Sequence, residues 1–197
     1  MRNPIQRLVL SLLPVLAACS DTELVGVHVR LAKDGSGTVT TRALQSVTTP
    51  GSAEGKVRGV QWQVRADLMA SQGTFQKVED LSFGDGEVRF VMSHDDSPHL
   101  RVLVQRRPDL TWVQALTPDQ ATRRSLAKVH DPSGKSQEIG DAIRIEIVLP
   151  DTAISSGVQP GGRGIEAQHE RNKAYLILPV QSLLEKGDEL VWDLSWK

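Results

Sequence analysis

Apolar side chains recur at every second position along much of this chain, and that period decides what it can fold into. Val25, Val27, Val29 and Leu31 alternate with His28 and Arg30. Ile143, Ile145, Ile147 and Leu149 stand against Arg144 and Glu146, and Leu190, Trp192, Leu194 and Trp196 close the chain in the same rhythm. A period of two puts one face of a strand in a core and the other in water. The chain therefore reads as sheet.

Turn chemistry divides the strands. Residues 24–31 lead into Lys33-Asp34-Gly35-Ser36-Gly37 and then Thr38 to Thr41. Asp-Gly between β-branched stretches signals a hairpin, because glycine supplies the positive φ. Residues 46–55 read as a loop. Val60, Trp62, Val64, Ala66, Leu68 and Ala70 then predict a half-buried strand. A helix is the rival there, since Val60, Val64 and Leu68 are also four apart.

Gly84-Asp85-Gly86 predicts a turn into a strand at 88–92. A polar loop at 93–99, a strand at 100–104 and a short strand at 112–116 follow. Thr117, Pro118 and Gln120 form an N-cap, first-turn proline and capping box for a helix over 118–128. Arg123, Arg124 and Lys128 lie in its last turns, where cations favour the dipole. Asp131-Pro132-Ser133-Gly134 breaks it. Residues 150–164 read as a Gly/Pro-rich excursion, 174–178 as a central strand, and 181–186 as a helical turn closed by Gly187. The expected class is α+β, mainly β, with about eight strands in antiparallel sheet(s) and one clear helix.

Residues 1–20 have a different grammar. Arg2 and Arg7 precede an apolar run at 8–16, with Ala17 and Ala18 after it. Basic, apolar, then small is the order of a secretory signal. The run is far shorter than the roughly 20 residues a bilayer span needs. It ends Leu16-Ala17-Ala18-Cys19, and Cys19 is the single cysteine of the chain. This segment resembles the signal of bacterial lipoprotein precursors, whose lipobox is Leu-Ala-(Gly/Ala)-Cys.

The resemblance implies cleavage between Ala18 and Cys19, a diacylglycerol on the Cys19 sulfur and an acyl chain such as palmitate on its amino group. Two or more acyl chains hold a protein stably on a membrane. In that family an Asp directly after the cysteine retains the protein at the inner membrane. Ser20 stands there instead, so the expected location is the outer membrane, with the domain facing the periplasm. Residues 19–23 would be a short tether and 24–197 one β-rich domain. The strand–loop–strand ending is similar to that of LppM-type lipoproteins.

Charge excludes one class of partner. Lys and Arg number 23 against 24 Asp and Glu, and loss of Arg2 and Arg7 with the signal takes the net charge from −1 to −3. A nucleic-acid binder needs a basic field, so none is expected as partner.

Candidate sites each have a plainer reading beside them. His94, Asp95, Asp96 and His99 offer ligand types that suit zinc, yet Asp, Ser and Pro between them are ordinary turn residues. Pro160-Gly161-Gly162-Arg163-Gly164 would cradle an anion through backbone amides and Arg163. It lacks the lysine and hydroxyl of a phosphate loop, and a flexible connection is the reading its residues favour. Trp62, Trp192 and Trp196 would line a cavity for a lipid, or simply pack a core.

No serine-elbow or His-Glu-x-x-His motif is present. No cofactor, resident metal or catalytic residue is expected. The sequence thus predicts a non-catalytic envelope lipoprotein with a binding or structural domain and a membrane, and in some form an envelope protein, as partner. A carrier of a lipid or small hydrophobic ligand is the alternative, and an envelope hydrolase ranks third.

Overall fold

The computed structural model describes residues 26–47, 65–94, 97–117 and 142–197. The lipobox, Trp62, Asp95, Asp96 and the expected helix at 118–128 lie outside the described residues.

The first strands form where the alternation is strongest. β1 (Gly26–Leu31) and β2 (Gly37–Val47) make the expected hairpin, with Val29 opposite Val39. Gly35 takes a φ of +82° in the turn. The Asp34 carboxylate accepts hydrogen bonds from the backbone N–H and the hydroxyl of Ser36, at 3.0 and 2.7 Å. β3 (Arg65–Phe75) pairs along the whole length of β2. The reading of 60–70 as strand therefore holds from Arg65 onward, and the strand runs five residues past Ala70.

A 3₁₀ turn (Val78–Asp80) leads to β4 (Ser82–Phe83), β5 (Val88–His94) and β6 (Pro98–Val104). Strand pairing reaches from both sides into the expected loop at 93–99, ending on His94↔Pro98. α1 (Thr111–Leu116) corrects the strand expected at 112–116. The reason is long-range. The Glu87 carboxylate accepts the backbone N–H of Trp112 in its first turn, 25 residues from its own position. Thr117 closes this helix, and its hydroxyl donates to the Val113 carbonyl at 2.7 Å.

β7 (Ala142–Val148), β8 (Ala153–Gln159), β9 (Glu166–Glu170), β10 (Lys173–Pro179), α2 (Val180–Leu184) and β11 (Leu190–Trp196) complete the described chain. The excursion expected at 150–164 thus contains a strand, β8.

Two sheets result. One has six strands in the order β3-β2-β1-β7-β10-β9, the other five in the order β4-β5-β6-β11-β8. The class is mainly β, as read, but the described residues hold eleven strands rather than about eight. The short or polar strands β4, β8 and β9 carry little alternation of their own. The sheets are also not wholly antiparallel, because β1 and β7 pair in parallel.

The alternating faces meet in one core. Val27, Val29, Ile145, Ile147 and Leu176 from the six-stranded sheet cluster with Phe90, Val102, Leu190, Trp192 and Leu194 from the five-stranded one. Two sheets closing over a shared apolar layer make a sandwich. Trp112, Val113 and Leu116 of α1 and Val180 and Leu183 of α2 extend the same layer.

Candidate functional site

Polar chemistry gathers at three places. The first lies on the outer face of the six-stranded sheet. Pairing register sets Thr40, His28, Glu146, Tyr175 and Gln168 in one row across β2, β1, β7, β10 and β9. Glu146 is at its centre and is only 7% exposed. Its Oε1 lies 3.4 Å from His28 Nδ1 and 3.4 Å from Lys173 Nζ, while Arg144 Nη2 is 3.9 Å from Oε2. Arg144 also stacks over the Tyr175 ring at 4.2 Å.

Burial alone would push the Glu146 carboxyl up. The hydrogen bond and charge of His28, with Lys173 beside it, outweigh that and hold it at about 2. A general base for neutral pH needs the opposite shift. The arrangement is built to keep a carboxylate ionised, and it ties three adjacent strands together.

The second place is the outer face of the other sheet. His99 Nε2 is 3.0 Å from Asp193 Oδ1, and Arg101 Nε donates to the same oxygen at 2.8 Å. Ser195 pairs with His99 in register, so a serine, a histidine and an aspartate stand together. The Ser195 hydroxyl is engaged with that of Ser155 at 2.6 Å, and the aspartate is shared with an arginine.

The third place is Glu87, 2% exposed between β4 and β5. Arg107 Nη2 donates to it at 2.6 Å, the Thr111 hydroxyl at 3.0 Å and the Trp112 amide at 3.1 Å. Burial raises its carboxyl, but these donors win and lower it below the ordinary 4.5. Its donors come from the start of α1 and from Arg107 in the segment that leads to it.

The expected candidates distribute as follows. His94 is exposed at the end of β5, and His99 is committed to Asp193. Among the described residues no three His, Cys, Asp or Glu group as metal ligands. Arg163 is exposed in the turn before β9, and its carbonyl accepts the Ser182 hydroxyl at 3.3 Å. Trp192 and Trp196 are buried in the shared core, and the Trp192 indole N–H donates to the Ser156 hydroxyl at 2.9 Å.

Comparisons with protein-family models, curated proteins and solved structures found no match. The geometry of this chain is therefore the whole basis for reading its site. The Glu146 cluster escaped the sequence reading because its members come from three strands, spread from His28 through Glu146 to Lys173 along the chain. The one local signal was the strand expected at 142–149, with Arg144 and Glu146 on its polar side.

Proposed function

We propose that this chain is a bacterial envelope lipoprotein, held to its membrane by acyl chains on Cys19. Its β-sandwich domain acts by binding or structural contact rather than catalysis. The observation that carries this reading is the lipobox Leu16-Ala17-Ala18-Cys19, which holds the single cysteine and stands seven residues before the first described strand. A lone thiol in an exported chain cannot pair internally, and lipidation gives it a purpose.

The binding role is supported by the state of the ionisable groups. Glu146, Asp193 and Glu87 are each saturated by donors that join neighbouring strands or cap α1. Each is held low rather than tuned toward neutral pH. No helix among the described residues is long and apolar enough to cross a membrane. In this reading the lipid anchor supplies the attachment, and Ser20 after the cysteine favours the outer membrane.

Membrane fractionation of Cys19→Ser tests the reading. The wild type remains with membranes through a carbonate wash, and the variant moves to the soluble fraction still folded. Retention of Cys19→Ser on washed membranes sinks the anchor.

A further inference from the structure

β3 is an edge strand. It pairs with β2 over its whole length without a register shift, and among the described residues no strand pairs its other side. The backbone N–H and C=O groups along that side form a row that another strand can complete. Edges are ordinarily blunted by shortness, charge, proline, a bulge or a covering element. β4 has only two residues. β9 carries Glu166, His169 and Glu170, all exposed. β8 lies against β9 of the other sheet. β3 is long and straight, and the stretch from Leu68 to Gln76 holds no charge and no proline.

Both faces of β3 are open over the same stretch. Met69, Ser71 and Gly73 share the face on which Ala43 and Phe75 reach the core, and Ala70, Gln72 and Thr74 share the other. All six are exposed, Met69 by 55%. Four of them have side chains no larger than threonine, so a neighbouring strand can approach closely.

We infer that β3 is a self-pairing edge, joined antiparallel to β3 of a second copy of this chain about a two-fold axis at Gln72. That register opposes Ala70 to Thr74, Ser71 to Gly73 and Met69 to Phe75, so no charge meets its own copy. By backbone register it also sets Asp67 opposite Lys77, whose backbone is still extended. The neighbouring registers are worse. Centring on Ser71 sets Arg65 against Lys77, and centring on Gly73 sets Asp67 against Glu79, like charges in both. Two-fold pairing is the commonest symmetry of identical chains, and here it joins the two six-stranded sheets edge to edge with their core faces on the same side. The inference does not depend on the anchor.

Cysteine cross-linking tests both the pairing and its register. Residues opposed in an antiparallel pair have Cα atoms about 4.5–5.5 Å apart, within reach of a disulfide. Gln72→Cys would meet its own copy at that distance, whereas Thr74→Cys would lie about 14 Å from its copy on the same edge and face. The full chain is produced with its signal and with Cys19 in place, and the cells are treated with a membrane-permeable thiol oxidant. Products are separated without reductant and weighed intact. Disulfide-linked homodimer is expected from Gln72→Cys at about tenfold or more the yield from Thr74→Cys or from the unaltered chain. Equal yields at 72 and 74, no homodimer from Gln72→Cys, or its capture by a different protein overturns self-pairing. On the Gln72→Cys background, Lys77→Glu should lower the yield several-fold and the further change Asp67→Lys should restore it. A yield indifferent to these charges overturns the register and the proposal with it.

Discussion

His28 and Glu146 face each other across the parallel pair β1 and β7, with Nδ1 3.4 Å from Oε1. His99 and Asp193 make a similar contact at 3.0 Å on the other sheet. Each carboxylate also has a cation beside it. Burial separates the two cases, since the Glu146 side chain is 9% exposed and that of Asp193 40%. A charge removed from water depends on its partners far more than one that water can still solvate.

Glu146 should dominate the acid limb of stability. Its folded-state carboxyl is depressed to about 2 from the ordinary 4.5. The contribution is therefore complete above about pH 4.5 and is lost as pH falls toward 2. Its size is about 3 kcal/mol by proton linkage. Urea unfolding of Glu146→Gln should show a loss of about 2–3 kcal/mol at pH 7 that shrinks steadily between pH 4.5 and 2.5. A constant gap across that range would contradict the assignment.

Asp193→Asn should be nearly silent by comparison. Arg101 and His99 hold the Asp193 carboxyl below its usual value against burial that raises it. Water screens the pair, however, and the expected loss is under about 1 kcal/mol. A loss matching that of Glu146→Gln would show that burial is not what separates the two clusters.

Glu87 and Gly84 should fail together. Glu87→Ala leaves Arg107, Thr111 and the Trp112 amide without their acceptor, at a cost of about 3 kcal/mol or more. Gly84 sits at a φ of +57°, and a Cβ there would collide with the Glu87 carboxylate. Gly84→Ala should lower the thermal midpoint about as much as Glu87→Ala, and the double variant should cost much less than the sum, because both act on one contact. Additive losses would separate the turn from the cap.

Strands with one wet and one dry face were legible in the chain. The β1–β2 turn and β11 follow from alternation and Asp-Gly alone, and Leu190, Trp192, Leu194 and Trp196 are all buried as that pattern requires. β9 was not legible, because Glu166-Ala167-Gln168-His169-Glu170 is an edge strand with both faces largely in water. β8 owes its shape to β11 rather than to Ser155, Ser156 and Gly157. α1 reads locally as strand, since Trp112 and Val113 favour sheet, and its first turn is held by distant Glu87. The parallel register of β1 and β7, which creates the Glu146 cluster, is a long-range pairing with no local mark.

β11 should be indispensable. It runs between β6 and β8 inside the five-stranded sheet and carries Trp192, which is fully buried. Trp192→Phe should cost about 1–2 kcal/mol through lost volume and the Ser156 hydrogen bond, and Trp192→Ala about 3–5 kcal/mol. Deleting residues 190–197 should abolish cooperative unfolding in a thermal melt. A truncated chain that still melts cooperatively would place the core elsewhere.

The anchor itself is tested most directly by the intact mass of the protein extracted from washed membranes in detergent. The account predicts a chain beginning at Cys19 and heavier than its sequence by a diacylglycerol and an amide-linked acyl chain, with no free thiol. A chain that keeps residues 1–18, or one that carries Cys19 as an unmodified thiol, would contradict it.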